Sequence, residues 1–193
     1  MSQIRIFMLF AYSIVVLFSC NPHEKEYMNI ERMQIGKTAI PYEKMECWAS
    51  DSILNVSPWK NAKYKLIHYI DSASCSSCYL QKVKINEFLF LMEKISNDEF
   101  CNVIIITPGS KTKKDLEHLF FEKLIPQTIF IDSANIFLRK NPHIPSETKY
   151  HTFLVDEDDK IVLVGNPITN KKIRNILLSK FEKKYGNLLE GKY

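Results

Sequence analysis

Short apolar runs alternate with longer segments of mixed polarity along most of this chain. Several runs are rich in β-branched and aromatic residues, and Asn102 to Thr107 is a continuous run that fits a strand buried on both faces of a parallel sheet. Two later runs flank the acidic turn from Asp156 to Lys160, which predicts an antiparallel hairpin. The predicted strands are 34–41, 63–70, 102–107, 128–131, 151–155 and 161–164.

The segments between these strands have apolar residues at helical spacing. Apolar residues at helical spacing predict one long helix from Cys75 towards Ile95, and Asp115 to Phe120 belong to a crossover helix that ends before Pro126. A final helix is expected from about Asn170 to Tyr185. Strands that alternate with helices in this order predict a single α/β domain with a central mixed sheet and flanking helices.

The first 20 residues have a different character. Arg5 precedes an apolar stretch from Ile6 to Phe18, which is shorter than the about 20 residues of a membrane-spanning helix and predicts a signal peptide over 1–19. Leu17 to Cys20 resembles the lipobox of bacterial lipoproteins, and this resemblance implies that Cys20 carries a lipid. An ordinary secretory signal that happens to contain Cys20 is the alternative, and either version exports the domain.

The rest of the chain divides into two parts. We assign 20–33 to the lipidated cysteine and a polar tether, and 34–193 to one domain. The formal net charge of +4 comes from interleaved acidic and basic residues, as in Glu24-Lys25-Glu26, without a basic stripe. The composition therefore gives no reason to expect a nucleic-acid partner.

Cys75-Ser76-Ser77-Cys78 follows the strand at 63–70 and precedes a helix. Unpaired amides at the start of a helix carry partial positive charge, which favours thiolate over thiol at the first cysteine. In such motifs the cysteine pKa falls from about 8.5 to between roughly 3.5 and 7.5. Cys75 is therefore the expected nucleophile, and Cys78, one helical turn further on, is the expected resolving thiol. A structural zinc site with four cysteines would need a second CxxC pair, which this chain lacks.

The order of elements, with a dithiol between a buried strand and its helix, is that of the thioredoxin fold. Ser74 to Gln81 and the tail from Tyr150 to Pro167, together with the export signal, resemble the anchored thioredoxin-like lipoproteins of anaerobic Gram-negative bacteria. The resemblance spans roughly 36–181. It implies a thioredoxin-like α/β fold that ends in a hairpin and a helix, and a thiol-disulfide oxidoreductase that uses Cys75 and Cys78.

The same resemblance implies a substrate groove beside the dithiol. Thioredoxins place a cis-proline before the strand that faces the dithiol, but this chain has His151 at that position. A cis peptide bond without proline costs about 2.5 to 4 kcal/mol, so we expect His151 to be trans and the groove to be reshaped. The predicted groove residues are Ser74, Ser76, Ser77, His151 and Thr152.

A second departure concerns proton transfer. Tyr69 stands six residues before Cys75, where thioredoxins often carry a buried carboxylate that assists the resolving thiol. A phenol with an ordinary pKa near 10 is a poor base at neutral pH, so Cys78 needs water or a histidine instead. The two departures leave the nucleophile in place and predict a specialised or slow enzyme.

Metal carriage is the main alternative to redox chemistry. In this fold an imidazole at His151 would lie beside two potential thiolates, so Cys75, Cys78 and His151 would form a ligand set for Cu(I) or Zn²⁺. A non-catalytic thioredoxin-fold interaction domain is a further alternative. The redox hypothesis needs no cofactor other than the disulfide itself, and the residues around the dithiol do not match those of peroxiredoxins.

Two other cysteines belong to the domain. Cys101 begins a buried strand and is expected to be a small core residue, while Cys47 lies in an opening segment without a clear pattern. Whether they pair depends on a Cα separation that the sequence does not contain.

Export predicts a place in the cell envelope, with the lipid-anchored domain facing the periplasm or the cell exterior. An oxidising compartment allows a dithiol to cycle between partners. The expected partners are envelope proteins that carry thiols or disulfides, a membrane reductant, and the membrane itself through the anchor.

Overall fold

The computed structural model describes residues 22–49, 57–84, 86–109, 113–123 and 127–189. The predicted signal peptide and Cys20 lie outside these ranges, so export and lipidation remain predictions. Within the described ranges, every helix is either too short or too polar to cross a bilayer.

Six strands of the described residues form one mixed sheet in the order β1-β4-β3-β2-β5-β6. The strands are β1 (Glu46–Trp48), β2 (Tyr64–Ile70), β3 (Phe100–Ile106), β4 (Thr128–Ile131), β5 (Thr152–Val155) and β6 (Ile161–Val164). The central strands β2, β3 and β4 are parallel, whereas β1, β5 and β6 are antiparallel to their neighbours. Each strand predicted from 63–70 onward is present, with ends that agree to within about two residues.

Helices cover both faces of this sheet. They are α1 (Pro22–Ile35), α2 (Pro58–Asn61), α3 (Ser76–Lys84), α4 (Glu87–Met92), α5 (Lys113–Lys123), α6 (Ile136–Lys140) and α7 (Lys171–Leu189), with 3-10 turns at Tyr42–Lys44 and Thr148–Tyr150. The β2-α3 unit carries the dithiol, and the hairpin β5-β6 followed by α7 closes the domain. The chain therefore has the predicted thioredoxin-like α/β fold.

Alternation along the strands builds an apolar core on each face of the sheet. Leu66 and Ile104 point to one face, and Ile67 and Ile105 point to the other. The first face holds α3, α4, α5 and α7 through Leu80, Phe88, Leu116 and Leu177. The second face holds α1, α2 and α6 through Met33, Trp59 and Phe137.

The segment predicted as a polar tether is largely helical. Residues 22–35 form α1, and Met33 near the end of α1 is fully buried in the core of the second face. The tether prediction is therefore wrong for these residues, because Met33 and the partly buried Ile30 pack α1 against the core of the second face.

The predicted opening strand at 34–41 is also wrong. Only Lys37 forms an isolated bridge, with Lys160. The main chain of Ala39 instead pairs with a side chain, since its N–H donates to Asn141 Oδ1 and its carbonyl oxygen accepts from Asn141 Nδ2, each at 2.8 Å. The strand at this edge of the sheet is β1, which pairs with β4.

Two further differences concern helices. The long helix predicted from Cys75 towards Ile95 is two helices, because Asn86 caps α4 by accepting the N–H of Leu89 at its side-chain oxygen. Helix α6 was not predicted from the sequence. Its first amides are satisfied by the buried carboxylate of Asp132, which follows β4.

Candidate functional site

The two cysteines of the CxxC motif form a disulfide at the carboxyl end of β2. Their Cα atoms are 5.4 Å apart. Both residues are solvent-exposed, so a partner molecule can reach the bond. Cys75 immediately precedes α3, and its carbonyl oxygen accepts the N–H of Tyr79 at 3.1 Å, which closes the first turn of the helix.

Polar groups at the start of α3 surround the first sulfur. The main-chain N–H of Cys78 donates to Cys75 Sγ at an N···S distance of 3.4 Å, and Ser77 Oγ lies 3.6 Å from the same sulfur. Ser76 and Ser77 are each 9 % exposed, so they belong to the buried start of the helix rather than to the open groove. After reduction, donors in these positions favour negative charge on Cys75.

The loop between β2 and α3 holds the dithiol at the sheet edge. Asp71 organises this loop, because its Oδ1 accepts the N–H of Ala73 at 3.0 Å and its main-chain oxygen accepts the N–H of Ser74 at 3.1 Å. Gly109, after β3, packs against the same loop. A Cβ at this position would come within 2.2 Å of the carbonyl oxygen of Ser72, so only glycine allows the two loops to approach this closely.

A cleft of about 430 Å³ opens beside the disulfide. Polar residues of α3, of the turn before β5 and of the segment after β6 contribute to its wall. The predicted site residues on this wall are Ser74, Cys75, Cys78, His151 and Thr152. The fold therefore brings the start of β5 next to the dithiol, as the resemblance implied.

His151 is buried between the dithiol loop and the turn before β5. Every peptide bond among the described residues is trans, including the bond before His151. Its Nε2 lies 3.1 Å from the carbonyl oxygen of Pro145, and its Nδ1 lies 3.6 Å from a carboxylate oxygen of Asp71. Burial lowers the pKa of His151, while the Pro145 carbonyl and the Asp71 charge oppose that shift. His151 therefore lies between the dithiol loop and β5, and the peptide bond before it is trans, as predicted.

Tyr69, at the position of the missing carboxylate, is already engaged by other groups. Its hydroxyl lies 2.9 Å from Thr107 Oγ1 and donates to Asn135 Oδ1 at 3.1 Å. Burial raises the pKa of Tyr69, so its phenol stays protonated at neutral pH and cannot accept a proton. Cys78 is exposed, and water can therefore take the proton that a buried carboxylate takes in thioredoxins.

A buried polar pair lies beneath the dithiol helix and was not predicted from the sequence. His68 of β2 is 1 % exposed, and its Nδ1 lies 2.5 Å from the hydroxyl of Tyr79, the residue after Cys78. Burial lowers the pKa of His68 to about 3, and the nearby side chain of Asn102 opposes this shift. The distance and angle criteria for a hydrogen bond are met by neither His68 Nε2 nor Asn102 Oδ1. The ring is therefore neutral at neutral pH, and a hydrogen bond joins its Nδ1 to the Tyr79 hydroxyl. The alternation along β2 could have revealed this pair, because it places His68 on the face that α3 covers.

Acid should destabilise the protein through His68. The unfolded histidine has an ordinary pKa near 6.5, so protonation of the unfolded state begins well above the folded pKa of about 3. The contribution of His68 to stability is complete above about pH 6.5 and is lost as pH falls towards 3, by up to about 1.4 kcal/mol per pH unit. We expect His68→Gln to lose this part of the pH dependence of the free energy of unfolding, which is measured by urea titrations between pH 7 and pH 4. His23→Asn, at an exposed position of α1, serves as the control, and an unchanged pH dependence in His68→Gln would contradict the prediction.

The structure does not assemble the alternative metal site. Among the described residues, no group of three or more His, Cys, Asp or Glu side chains is arranged to hold a metal ion. Cys75 and Cys78 are bonded to each other, and His151 contacts Pro145. The proposed ligands would need reduction of the disulfide and release of the ring, so metal carriage remains a prediction.

The other two cysteines of the domain are free thiols. Cys47 of β1 lies opposite Phe130 of β4, which separates it from Cys101 at the start of β3. Burial raises the pKa of Cys47 to about 11 and that of Cys101 to about 12, so both stay protonated at neutral pH. The dithiol is therefore the reactive pair among the cysteines that the structure describes.

Comparison with known proteins gives matches only among solved structures. No family model matches this chain, and no curated protein matches it. A thioredoxin-like protein solved in its oxidised form is 21% identical, with 61% of this chain and 80% of that chain covered and a TM-score of 0.42. The thioredoxin domain of a thiol-disulfide oxidoreductase from Bacteroides vulgatus is 17% identical, with coverage of 62% and 80% and a TM-score of 0.43.

A thioredoxin-like protein from Bacteroides caccae is 12% identical, covers 80% of this chain and 53% of its own, and has a TM-score of 0.43. Identities and TM-scores at this level do not transfer an activity. The sheet order and register therefore show the fold, and the chemistry depends on the residues of this chain.

Proposed function

We propose that this protein is a thiol-disulfide oxidoreductase that works through Cys75 and Cys78. One observation carries the proposal: an exposed disulfide at the amino end of α3, with the N–H of Cys78 directed at Cys75 Sγ. An accessible sulfur next to donors and a helix terminus is the arrangement that lowers the cost of a thiolate.

In the reducing direction, the thiolate of Cys75 attacks one sulfur of a partner disulfide. A mixed disulfide forms, and the second partner sulfur leaves as a thiolate. Cys78 then attacks Cys75 Sγ, which re-forms the disulfide seen in the structure and releases the partner's remaining sulfur. Two electrons pass to the partner in each cycle, and the reverse sequence of steps oxidises a partner dithiol.

We further propose that the domain is exported and held at a membrane through Cys20, in the cell envelope. The apolar stretch of 6–18 and the adjacent cysteine support this placement. Its partners would be envelope proteins with thiols or disulfides and a membrane reductant. The residue directly before β5 is His151 and not proline, so we expect a narrower set of partners than a general reductase has.

Equilibration in glutathione buffers tests the redox proposal. The purified protein is held at a series of reduced-to-oxidised glutathione ratios, trapped with an alkylating reagent and weighed by mass spectrometry. We expect one reversible two-electron transition that is located on Cys75 and Cys78, while Cys47 and Cys101 do not change state. Thiols that stay inert at every ratio would overturn the redox role, and stoichiometric retention of added copper or zinc would favour the carrier.

A further inference from the structure

Tyr79 makes two contacts that hold the first turn of α3 in place. Its main-chain N–H donates to the carbonyl oxygen of Cys75 at 3.1 Å, which closes the turn that contains both cysteines. Its hydroxyl lies 2.5 Å from Nδ1 of His68, a buried residue of β2. One side chain therefore joins the turn that holds the dithiol to the central sheet.

Two further side chains interact with the hydroxyl of Tyr79. Burial raises the pKa of Tyr79, while hydrogen bonding by the side chains of Thr152 and Asn166 opposes this rise. Thr152 begins β5 and Asn166 follows β6, and both residues line the dithiol cleft together with Tyr79. The hydroxyl therefore lies where α3 meets β2, β5 and the segment after β6.

The oxidation state of the dithiol changes what holds this turn together. In the oxidised form the bond between Cys75 and Cys78 closes the turn covalently. Reduction removes that link, and the end of a helix frays unless other contacts hold it. The contact between Tyr79 and His68 limits fraying only where fraying is possible, so it stabilises the reduced form more than the oxidised form.

We propose that Tyr79 is a positioning residue that stabilises the reduced dithiol through its contact with His68. The proposal rests on the redox function proposed above. When the first turn stays closed, the N–H of Cys78 stays directed at Cys75 Sγ, where it favours the attacking thiolate. Tyr79 thereby acts on the cysteines through the helix that carries them.

Equilibration of the full chain with glutathione measures this preference. One molecule of oxidised glutathione takes two electrons from the dithiol, which gives the Cys75–Cys78 disulfide and two molecules of reduced glutathione. Tyr79→Phe keeps the ring and removes the hydroxyl. We expect the midpoint ratio [GSH]²/[GSSG] to rise about twofold to tenfold, since the reduced form loses the benefit of one hydrogen bond. His68→Leu removes the partner of the hydroxyl and should raise the midpoint as well.

Urea unfolding separates positioning from general stability. Tyr79→Phe should lower the free energy of unfolding of the reduced chain more than that of the oxidised chain, by a difference that matches the shift in the midpoint. Tyr150→Phe is the matched control, because the Tyr150 hydroxyl accepts from Asn29 Nδ2 at 3.2 Å and joins α1 to the turn before β5. This control should lower both forms equally and leave the midpoint unchanged.

Three results would overturn the proposal. They are an unchanged midpoint in Tyr79→Phe or His68→Leu, an equal loss of stability in reduced and oxidised Tyr79→Phe, and a midpoint shift of the same size in Tyr150→Phe. The unmodified chain distinguishes the two proposals. If it shows no transition at any glutathione ratio, the redox function itself fails, whereas a normal transition with the same midpoint in the variants removes only the role of Tyr79.

Discussion

Replacement of Cys75 with serine should abolish disulfide exchange. A serine hydroxyl is not ionised at neutral pH and cannot form a disulfide, so the rate with a disulfide-bonded peptide should fall by roughly 10³-fold or more. The rate is followed by alkylation and mass spectrometry under a constant excess of reductant. Cys47→Ser is the matched control, because Cys47 is a free cysteine of β1 that does not line the dithiol cleft.

The complementary variant separates the two cysteine roles. With Cys78→Ser, the first attack by Cys75 still occurs, but no second thiol can release the partner. A mixed disulfide between Cys75 and the peptide should therefore accumulate, and its mass identifies the attacking residue. If Cys75→Ser traps the peptide instead, the roles of the two cysteines are reversed.

Replacement of Met33 with alanine should strongly destabilise the domain. Met33 is fully buried against the second face of the sheet, where it joins Ile67, Phe137 and Phe153 in one cluster. Substitution of a buried methionine by alanine costs about 2 to 5 kcal/mol, because it loses apolar contacts and leaves a cavity. Urea unfolding measures the effect as a lower midpoint with an unchanged slope.

The same helix supplies the control for this measurement. Met28 also belongs to α1 but is 60 % exposed, so Met28→Ala changes the same chemistry without opening a cavity. We expect its midpoint to stay close to that of the unmodified chain. Equal midpoints for both variants would mean that α1 does not contribute to the folded core, as the tether prediction held.

Local pattern was sufficient for much of the fold. The β-branched run at 102–107 and the apolar run at 63–70 predicted β3 and β2, since burial on a sheet selects these side chains whatever lies further along the chain. The same pattern placed Cys75 between a strand and a helix. That position is a property of adjacent residues, and it already pointed to the reactive end of the motif.

Hydrogen bonds from side chains to the main chain account for two of the errors. Ala39 has no strand partner because Asn141, far along the chain, satisfies its main chain. The helix predicted from Cys75 towards Ile95 ends early because Asn86 caps a new one. In both places a side chain competes with regular main-chain pairing, and its geometry is fixed only after folding.

By itself, the sequence determined the order of the strands from β2 to β6, the final helix α7, the dithiol between β2 and α3, and the histidine in place of the proline before β5. These features depend on neighbouring residues and on spacing, which a linear chain contains. The tertiary structure alone decided that both sulfurs of the dithiol are exposed, and that His68 lies beneath α3 against Tyr79. Burial and hydrogen-bond partners belong to pairs of residues from separate elements, and only the packed sheet and helices bring those pairs together.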